Sequence, residues 1–427
     1  MSQQSDFAPN PVKPKLSICL ITYNRARFLE SLLQRLTSQG VAGVSHEILL
    51  CDNCSTDDTQ VIAEAFAERF PQIRYVRQRE NVGALNNLLT AYRLAAGTYA
   101  IYLADDDLLV PEALAETIGF LDSHPDVVVC HAPWELWDDV ANQAHGQFYH
   151  VAEQRVFDRE KSLDLVDYIV GHHIFPEISV YRTSALHRMY VAPSIGFSAF
   201  VYLAVSLNFG QVAFLPRPFY RSVTRHSTGL ARQQTGNTQV TTELDSYRAG
   251  LEVLFSAAFR FQGLPGVPAS KRETVQKMIQ AFIGVRMSVA LRFFKMERKF
   301  VAAMQTLSRL QACGGLTDDQ INAERKSLIA PMLTQTVLEL CSGVASISEL
   351  VLCDLGEAPS AVDMFQALKP GFPVRIQTEA ALLESGMPAT AMVMTASAEQ
   401  RDRLIAGGFP SGLVVSEQEL LRVLAVY

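Results

Sequence analysis

Asp105, Asp106 and Asp107 stand in a row directly after the apolar run Tyr99-Ala100-Ile101-Tyr102-Leu103 and shortly before Pro111, which can open a helix at its first position. Three adjacent carboxylates at the mouth of a buried strand repel one another, so packing alone gives little reason to put them there. A divalent cation relieves that repulsion, and Mg²⁺-type ions are commonly held by one or two carboxylates together with phosphate oxygens. A short acidic run is also ordinary for a solvated turn. The surroundings decide between the two.

Those surroundings alternate between strands and helices. Leu16-Ser17-Ile18-Cys19-Leu20-Ile21 reads as a first strand ending at Thr22-Tyr23-Asn24. Asn24 is expected to cap a helix whose Phe28, Leu29, Leu32, Leu33 and Leu36 share one apolar face. A second strand, Glu47-Ile48-Leu49-Leu50-Cys51, runs into Asp52-Asn53-Cys54-Ser55-Thr56-Asp57-Asp58, where Ser55 and Asp58 suit a capping pair for the next helix. A third strand around Ile73–Val76 leads to Asn81-Val82-Gly83 and a helix through Leu85, Leu88, Leu89 and Tyr92. The triplet closes strand four. Such a β-α-β-α rhythm predicts a mostly parallel sheet with helices on both faces. Ligands of such sheets bind beyond the carboxyl ends of the strands, where Thr22, Asp52 and the triplet all fall.

These motifs carry a family resemblance. The block from Leu16 to about Leu121 resembles the nucleotide-sugar-binding half of a GT-A, family 2 glycosyltransferase. The matching pieces, in order, are Thr22-Tyr23-Asn24, the Asp-Asn-x-Ser-x-Asp beginning at Asp52, the Asn-Val-Gly-x-x-x-Asn beginning at Asn81, and Gly97-Thr98-Tyr99 followed by the aspartates and Pro111-Glu112. Within the family the chain is most similar to bacterial surface-polysaccharide and O-antigen enzymes of the abequosyl- and rhamnosyltransferase kind. The resemblance implies a GT-A Rossmann-like domain and a nucleotide-diphosphate sugar donor. The acceptor it implies is a glycan, lipid-linked glycan or glycoprotein. It also implies a Mn²⁺ or Mg²⁺ ion with Asp107 as its ligand, Asp106 near the ribose or donor sugar, and Asp105 in support. Asp52 would then meet the nucleobase, flanked by Thr22, Tyr23 and Asn24. Asn81 and Asn86 are further donor-side candidates, although asparagine also serves turns.

The chain departs from the family in two places. Many relatives carry an arginine near Leu85, where this chain reads Ala84-Leu85-Asn86. Arg221 and Arg225 are the candidate replacements, and His226 occupies the place of a late histidine that closes over the metal. Relatives also commonly place a Glu-Asp pair at a helix start on the acceptor side, whereas Gly196–Tyr202 has no carboxylate. The nearest candidate base is Glu177, in His172-His173-Ile174-Phe175-Pro176-Glu177, because a carboxylate beside histidines can be tuned for proton abstraction. His173 is the second catalytic candidate, with His172 and Asp167 as alternates. The plain alternative is a strand-edge charge beside a polar loop.

Composition sets bounds. A chain of 427 residues predicts two or three domains, and 48% hydrophobic residues suit a buried core. A formal charge of −7 argues against nucleic acid as a partner. Seven cysteines at scattered positions suit free thiols in a reducing cytoplasm, and Cys51-x-x-Cys54 has no second pair to complete a zinc site. No signal peptide or membrane span is expected. A nucleotidyltransferase is disfavoured, because the loop after strand one lacks the glycines that wrap a triphosphate.

The expected organisation is a flexible tail over 1–14, the transferase domain over 15–230, a helical region over 231–345 and a small α/β domain over 346–427. Residues 232–242 are polar enough for a linker. In the helical region Met278, Phe282, Val285, Val289, Leu291 and Phe294 recur at helical steps among Lys271, Arg272, Lys277, Arg286, Arg292, Lys295, Arg298 and Lys299. A packed bundle with solvated basic residues is the preferred reading. The alternative is peripheral contact with the inner face of the cell membrane. The last domain is read as a docking, homo-oligomerisation or acceptor-positioning module. Two function classes emerge: an inverting, metal-dependent glycosyltransferase, or a non-catalytic scaffold of the same fold.

Overall fold

Strands with no polar face must be covered on both sides, and the first half of the chain is built on that constraint. In the computed structural model, which describes residues 13–191, 196–229, 243–355, 358–368, 371–386 and 390–424, β1 (Leu16–Thr22) and β2 (His46–Asp52) are buried almost throughout. Helix α1 (Ala26–Gln39) buries Phe28, Leu29, Leu32, Leu33 and Leu36, the stripe predicted from spacing. The pattern continues through α2 (Thr59–Arg69), β3 (Ile73–Arg77), α3 (Ala84–Leu94), β4 (Tyr99–Ala104), β5 (Leu108–Leu109) and α4 (Pro111–Ser123). Pro111 opens α4 at its first turn.

Next come β6 (Val127–His131), β7 (Glu135–Asp138), β8 (Gln143–Gln147), β9 (Arg155–Phe157), α5 (Ser162–Gly171), β10 (Ser179–Arg182), α6 (Thr183–Leu186), α7 (Ser198–Ser206), β11 (Gln211–Phe214) and β12 (Tyr220–Arg225). The main sheet has the order β3-β2-β1-β4-β10-β6-β11-β9. Its β1, β2, β3 and β4 are parallel, while β10 enters antiparallel between β4 and β6. A second sheet, β5-β12-β7-β8, stands beside it. Residues Tyr220–Arg225, which carry the basic candidates Arg221 and Arg225, form a strand paired on both sides.

The chain divides into two compact units. One comprises residues 1–234 and 245–279, the other 235–244 and 280–427. The region read as helical holds helices over Leu244–Phe261, Arg272–Met296, Phe300–Cys313 and Asp318–Ser342, and it is shared between the units. In Arg272–Met296, Ile279, Phe282, Ile283, Met287 and Ala290 are buried, while Val285 is half exposed. No helix among the described residues is long and apolar enough to cross a membrane. The second unit ends in the parallel sheet β14-β13-β15-β16, made of Glu349–Cys353 (β13), Val374–Gln377 (β14), Ala391–Thr395 (β15) and Val414–Ser416 (β16). Its core gathers Val351, Leu382, Val393, Leu404, Phe409 and Val414. The expected linker over 232–242 lies outside the described residues, as does nearly all of the expected tail.

Two capping expectations are corrected. Asn24 does not cap α1: it takes a left-handed backbone (φ 51°), and its Oδ1 accepts from the Thr56 N–H at 2.8 Å. Ser55 does not cap α2: its hydroxyl donates to Asp52 instead. The work falls to Asp57, which accepts from Thr59 N at 3.1 Å and Ala26 N at 3.2 Å and so serves both helix starts. Those bonds hold the Asp57 carboxyl below its ordinary range, against the opposing effect of its partial burial.

Candidate active site

Parallel register brings the chemistry together. Thr22 lies opposite Asp52, and Ile21 opposite Ala104, so β1, β2 and β4 end at one level. The triplet begins there, and all three aspartates are buried. Asp105 accepts from the Thr22 hydroxyl at 2.7 Å. Burial, reinforced by Asp106, pushes the Asp105 carboxyl up to about 7. Asp106 faces the Arg25 guanidinium at 3.5 Å. Asp107 clasps the second sheet: the Tyr220 hydroxyl donates to its Oδ2 at 2.8 Å and the Val223 N–H to its Oδ1 at 2.8 Å.

Burial and the neighbouring carboxylates together disfavour full ionisation at the end of β4. No group of three or more His, Cys, Asp and Glu side chains that could hold a metal forms among the described residues.

Asp52 is fully buried. It accepts from Ser55 N at 2.9 Å, the Ser55 hydroxyl and the Tyr75 hydroxyl at 3.0 Å, and pairs with Arg77 at 3.4 Å. Its carboxylate organises the loop after β2, so meeting a nucleobase requires exchanging one of these bonds. Asn81 accepts from Asn53 Nδ2 at 2.8 Å and Gly83 N at 2.9 Å, bracing the neighbouring loop. Asn86 donates back to the Val82 carbonyl at 2.9 Å. The motif spacing in fact ends on Asn87, which is buried and donates to the Cys51 carbonyl at 2.8 Å, tying α3 to the end of β2. Tyr23 is 42% exposed.

The basic candidates are placed as follows. Arg221 donates to Glu135 at 2.8 Å and lies 3.8 Å over the Trp137 ring. Arg225 pairs with Asp138 at 3.0 Å. Both are thus engaged by β7. His226 is buried, edge-on to Phe28 at 4.9 Å, and its Nδ1 accepts from Thr228 N at 3.2 Å. Arg25, which the sequence reading passed over, reaches the triplet and stacks over Phe28 at 5.3 Å. Its signal was its place immediately after Thr22-Tyr23-Asn24.

Glu177 precedes β10, where Val180 pairs with Ile101. The Tyr102 hydroxyl is raised first by burial, then by Asp107, Asp105, Asp106 and Glu177, so one phenol senses all four carboxylates. His173 has a left-handed backbone (φ 51°) and packs against Phe175 at 5.3 Å. His172 and Asp167 are exposed, and the helix start at Ser198–Ala199 supplies no carboxylate. All seven cysteines are unbridged, and burial pushes Cys51 up to about 12, which suits a structural thiol.

Burial also sets a pH dependence. His131, at the end of β6, is held neutral by burial, its pKa lowered to about 3. Because the unfolded chain binds that proton first, His131 makes stability fall as pH drops from about 6.5 toward 3. Asp105 has the opposite sign: raised to about 7, it makes stability fall as pH rises from about 4 toward 7. The two slopes oppose each other between about pH 4 and 6.5. Asp105→Asn should expose the His131 slope, a loss of about 1.4 kcal/mol per pH unit on acidification. Urea denaturation across that range measures it, and parallel curves for both proteins would contradict it.

Residues 17–189 match the family Glycosyl transferase family 2. Abequosyltransferase RfbV of Salmonella typhimurium is 36% identical over 117 residues, 27% of this chain and 35% of the relative. The putative glycosyltransferase EpsE of Bacillus subtilis is 30% identical over 112 residues, 26% of this chain and 40% of the relative. The chain thus spans little more than a third of the length of these curated relatives. Among solved structures, S. aureus TarS 1–349 with UDP-GlcNAc aligns over 70% of this chain and 89% of that chain, at 16% identity and a TM-score of 0.41. Residues 17–189 are therefore similar to glycosyl transferase family 2, the family its strand-end motifs resemble.

Proposed function

We propose that the chain is an inverting, metal-dependent glycosyltransferase. It moves a sugar from a nucleotide-diphosphate donor to a hydroxyl of a glycan, lipid-linked glycan or glycoprotein acceptor. The observation that carries the reading is the convergence of Thr22, Asp52 and the aspartate triplet at one end of the main sheet. The donor's nucleoside lies against the β1 and β2 loops, its diphosphate at the triplet. Bound Mn²⁺ or Mg²⁺ supplies charge neutralisation for the departing diphosphate. Asp107 and Asp106 are the carboxylates that would hold the ion, with His226 nearby.

Arg25 adds positive charge on the same side, held in reach by Asp106 and Phe28. The acceptor hydroxyl attacks the anomeric carbon opposite the diphosphate. A new C–O bond forms as the bond to the diphosphate breaks, and the proton passes to Glu177. Configuration therefore inverts. A nucleotide-sugar panel with Mn²⁺, read as thermal shift and as release of nucleoside diphosphate, tests the reading. A shift without release on any acceptor would favour the scaffold, which the carboxylate-free start of α7 keeps in view.

Arg25→Ala should weaken nucleoside diphosphate binding by about 1–2 kcal/mol, the range of a charge-assisted hydrogen bond. Calorimetry checks this. Unchanged affinity would remove Arg25 from the donor site.

A further inference from the structure

We propose that Phe148, seated on Trp134, is the platform on which a sugar ring of the acceptor stacks. The inference rests on the transferase reading and adds to it the face that receives the acceptor. Phe148 follows β8 and is 38% exposed, although it is a large apolar ring. Singly exposed apolar side chains are common, so exposure alone decides nothing. Here the ring is held from two directions. It lies nearly parallel on Trp134, with centroids 4.6 Å apart and 14° between planes, and its N–H donates to the Trp134 carbonyl at 3.0 Å. Phe175 meets it edge-on at 5.8 Å.

The supports are themselves fixed. Trp134 is buried and meets the Tyr149 ring edge-on at 5.3 Å, and the Tyr149 hydroxyl donates to the Ala132 carbonyl at 2.7 Å. Phe175 packs on Phe200 at 6.0 Å and Tyr247 at 5.5 Å. A ligand therefore meets a preorganised aromatic face and loses little by ordering it.

Location supplies the occupant. Phe175, the edge-on support, lies two residues before Glu177 and touches His173. Glu177 is also close enough for its charge to help raise the buried Tyr149 hydroxyl, after burial itself and Tyr168. The platform thus neighbours the proposed base, while the donor motifs sit on β1, β2 and β4. A pyranose turns a largely C–H face toward an aromatic ring and keeps its hydroxyls at the rim. Stacking on Phe148 fixes that ring face and leaves a rim hydroxyl to be presented to Glu177.

The chain's two tryptophans make the test direct, because both lie in this region. Trp137→Phe leaves Trp134 as the single emitter and removes a buried indole N–H that has no hydrogen-bond partner among the described residues. Methyl glycosides of hexoses and 6-deoxyhexoses are titrated into this protein, with UDP and GDP as controls. A saturable change in Trp134 emission is expected with at least one glycoside. It should weaken about tenfold in Phe148→Ser and persist in Phe148→Tyr, in proportion to the worth of an aromatic contact. Equal glycoside affinity in Phe148→Ser, with an unchanged melting temperature, would overturn the platform. Nucleoside diphosphate binding without any glycoside response would overturn the platform and leave the transferase reading standing. Response to neither would overturn both.

Discussion

Asp107→Ala is expected to loosen the first unit by about 2–4 kcal/mol, as well as to abolish sugar transfer. The reason is the clasp: removing the carboxylate takes away the acceptor of the buried Tyr220 hydroxyl and one bond of the Val223 N–H. Each orphaned buried donor costs about 1–3 kcal/mol. Strand β12 would keep its ladder to β5 and β7 and the Ala104 N–H bond to the Tyr220 hydroxyl, but lose both bonds to Asp107. Urea denaturation measures the loss, and wild-type stability in the variant would show that the clasp does not hold the two sheets. The triplet thus couples the main sheet to the second one. The strand that carries Arg221 and leads to His226 is positioned by the aspartate proposed to hold the cation.

Glu177→Gln carries the other large effect. The amide is nearly isosteric but accepts no proton, so transfer should slow by about 10²-fold or more. Donor affinity should barely change, because the proposed donor contacts lie on β1, β2 and β4. Initial rates at saturating donor, with calorimetry of nucleoside diphosphate, separate the two quantities. A rate within a few-fold of wild type would release Glu177 from the role and turn attention to His173. A large loss of donor affinity in the variant would instead mark Glu177 as a donor contact.

The main sheet was legible because its strands declare themselves locally. Leu16–Ile21, Glu47–Cys51 and Tyr99–Leu103 are apolar runs ending in polar loops, and a parallel strand buried on both faces cannot read otherwise. The helical face of α1 was legible for a similar reason, since its stripe needs only the 3.6-residue period. The polar contacts were not. Asn24 and Ser55 look like caps in sequence, yet each bonds across to the neighbouring strand-end loop or back to Asp52, a choice set by register between β1 and β2. Strand β12 was hidden because Tyr220–Arg225 is polar and half exposed, and its pairing partners come from distant segments. Arg25 and Asn87 were missed as neighbours of the residues chosen. Only the fold shows that Arg25 points to the triplet, while Asn87 braces the end of β2.

The central claim is that this strand-end site binds a nucleoside diphosphate through a divalent cation. Calorimetric titration of UDP, GDP, CDP and dTDP, with Mn²⁺ and then with a chelator, tests it directly. The expected result is one preferred base whose affinity falls by at least about tenfold when the cation is withdrawn, consistent with carboxylates that bind phosphate only across a metal. Binding of none of the four, or equal binding with and without Mn²⁺, would contradict it.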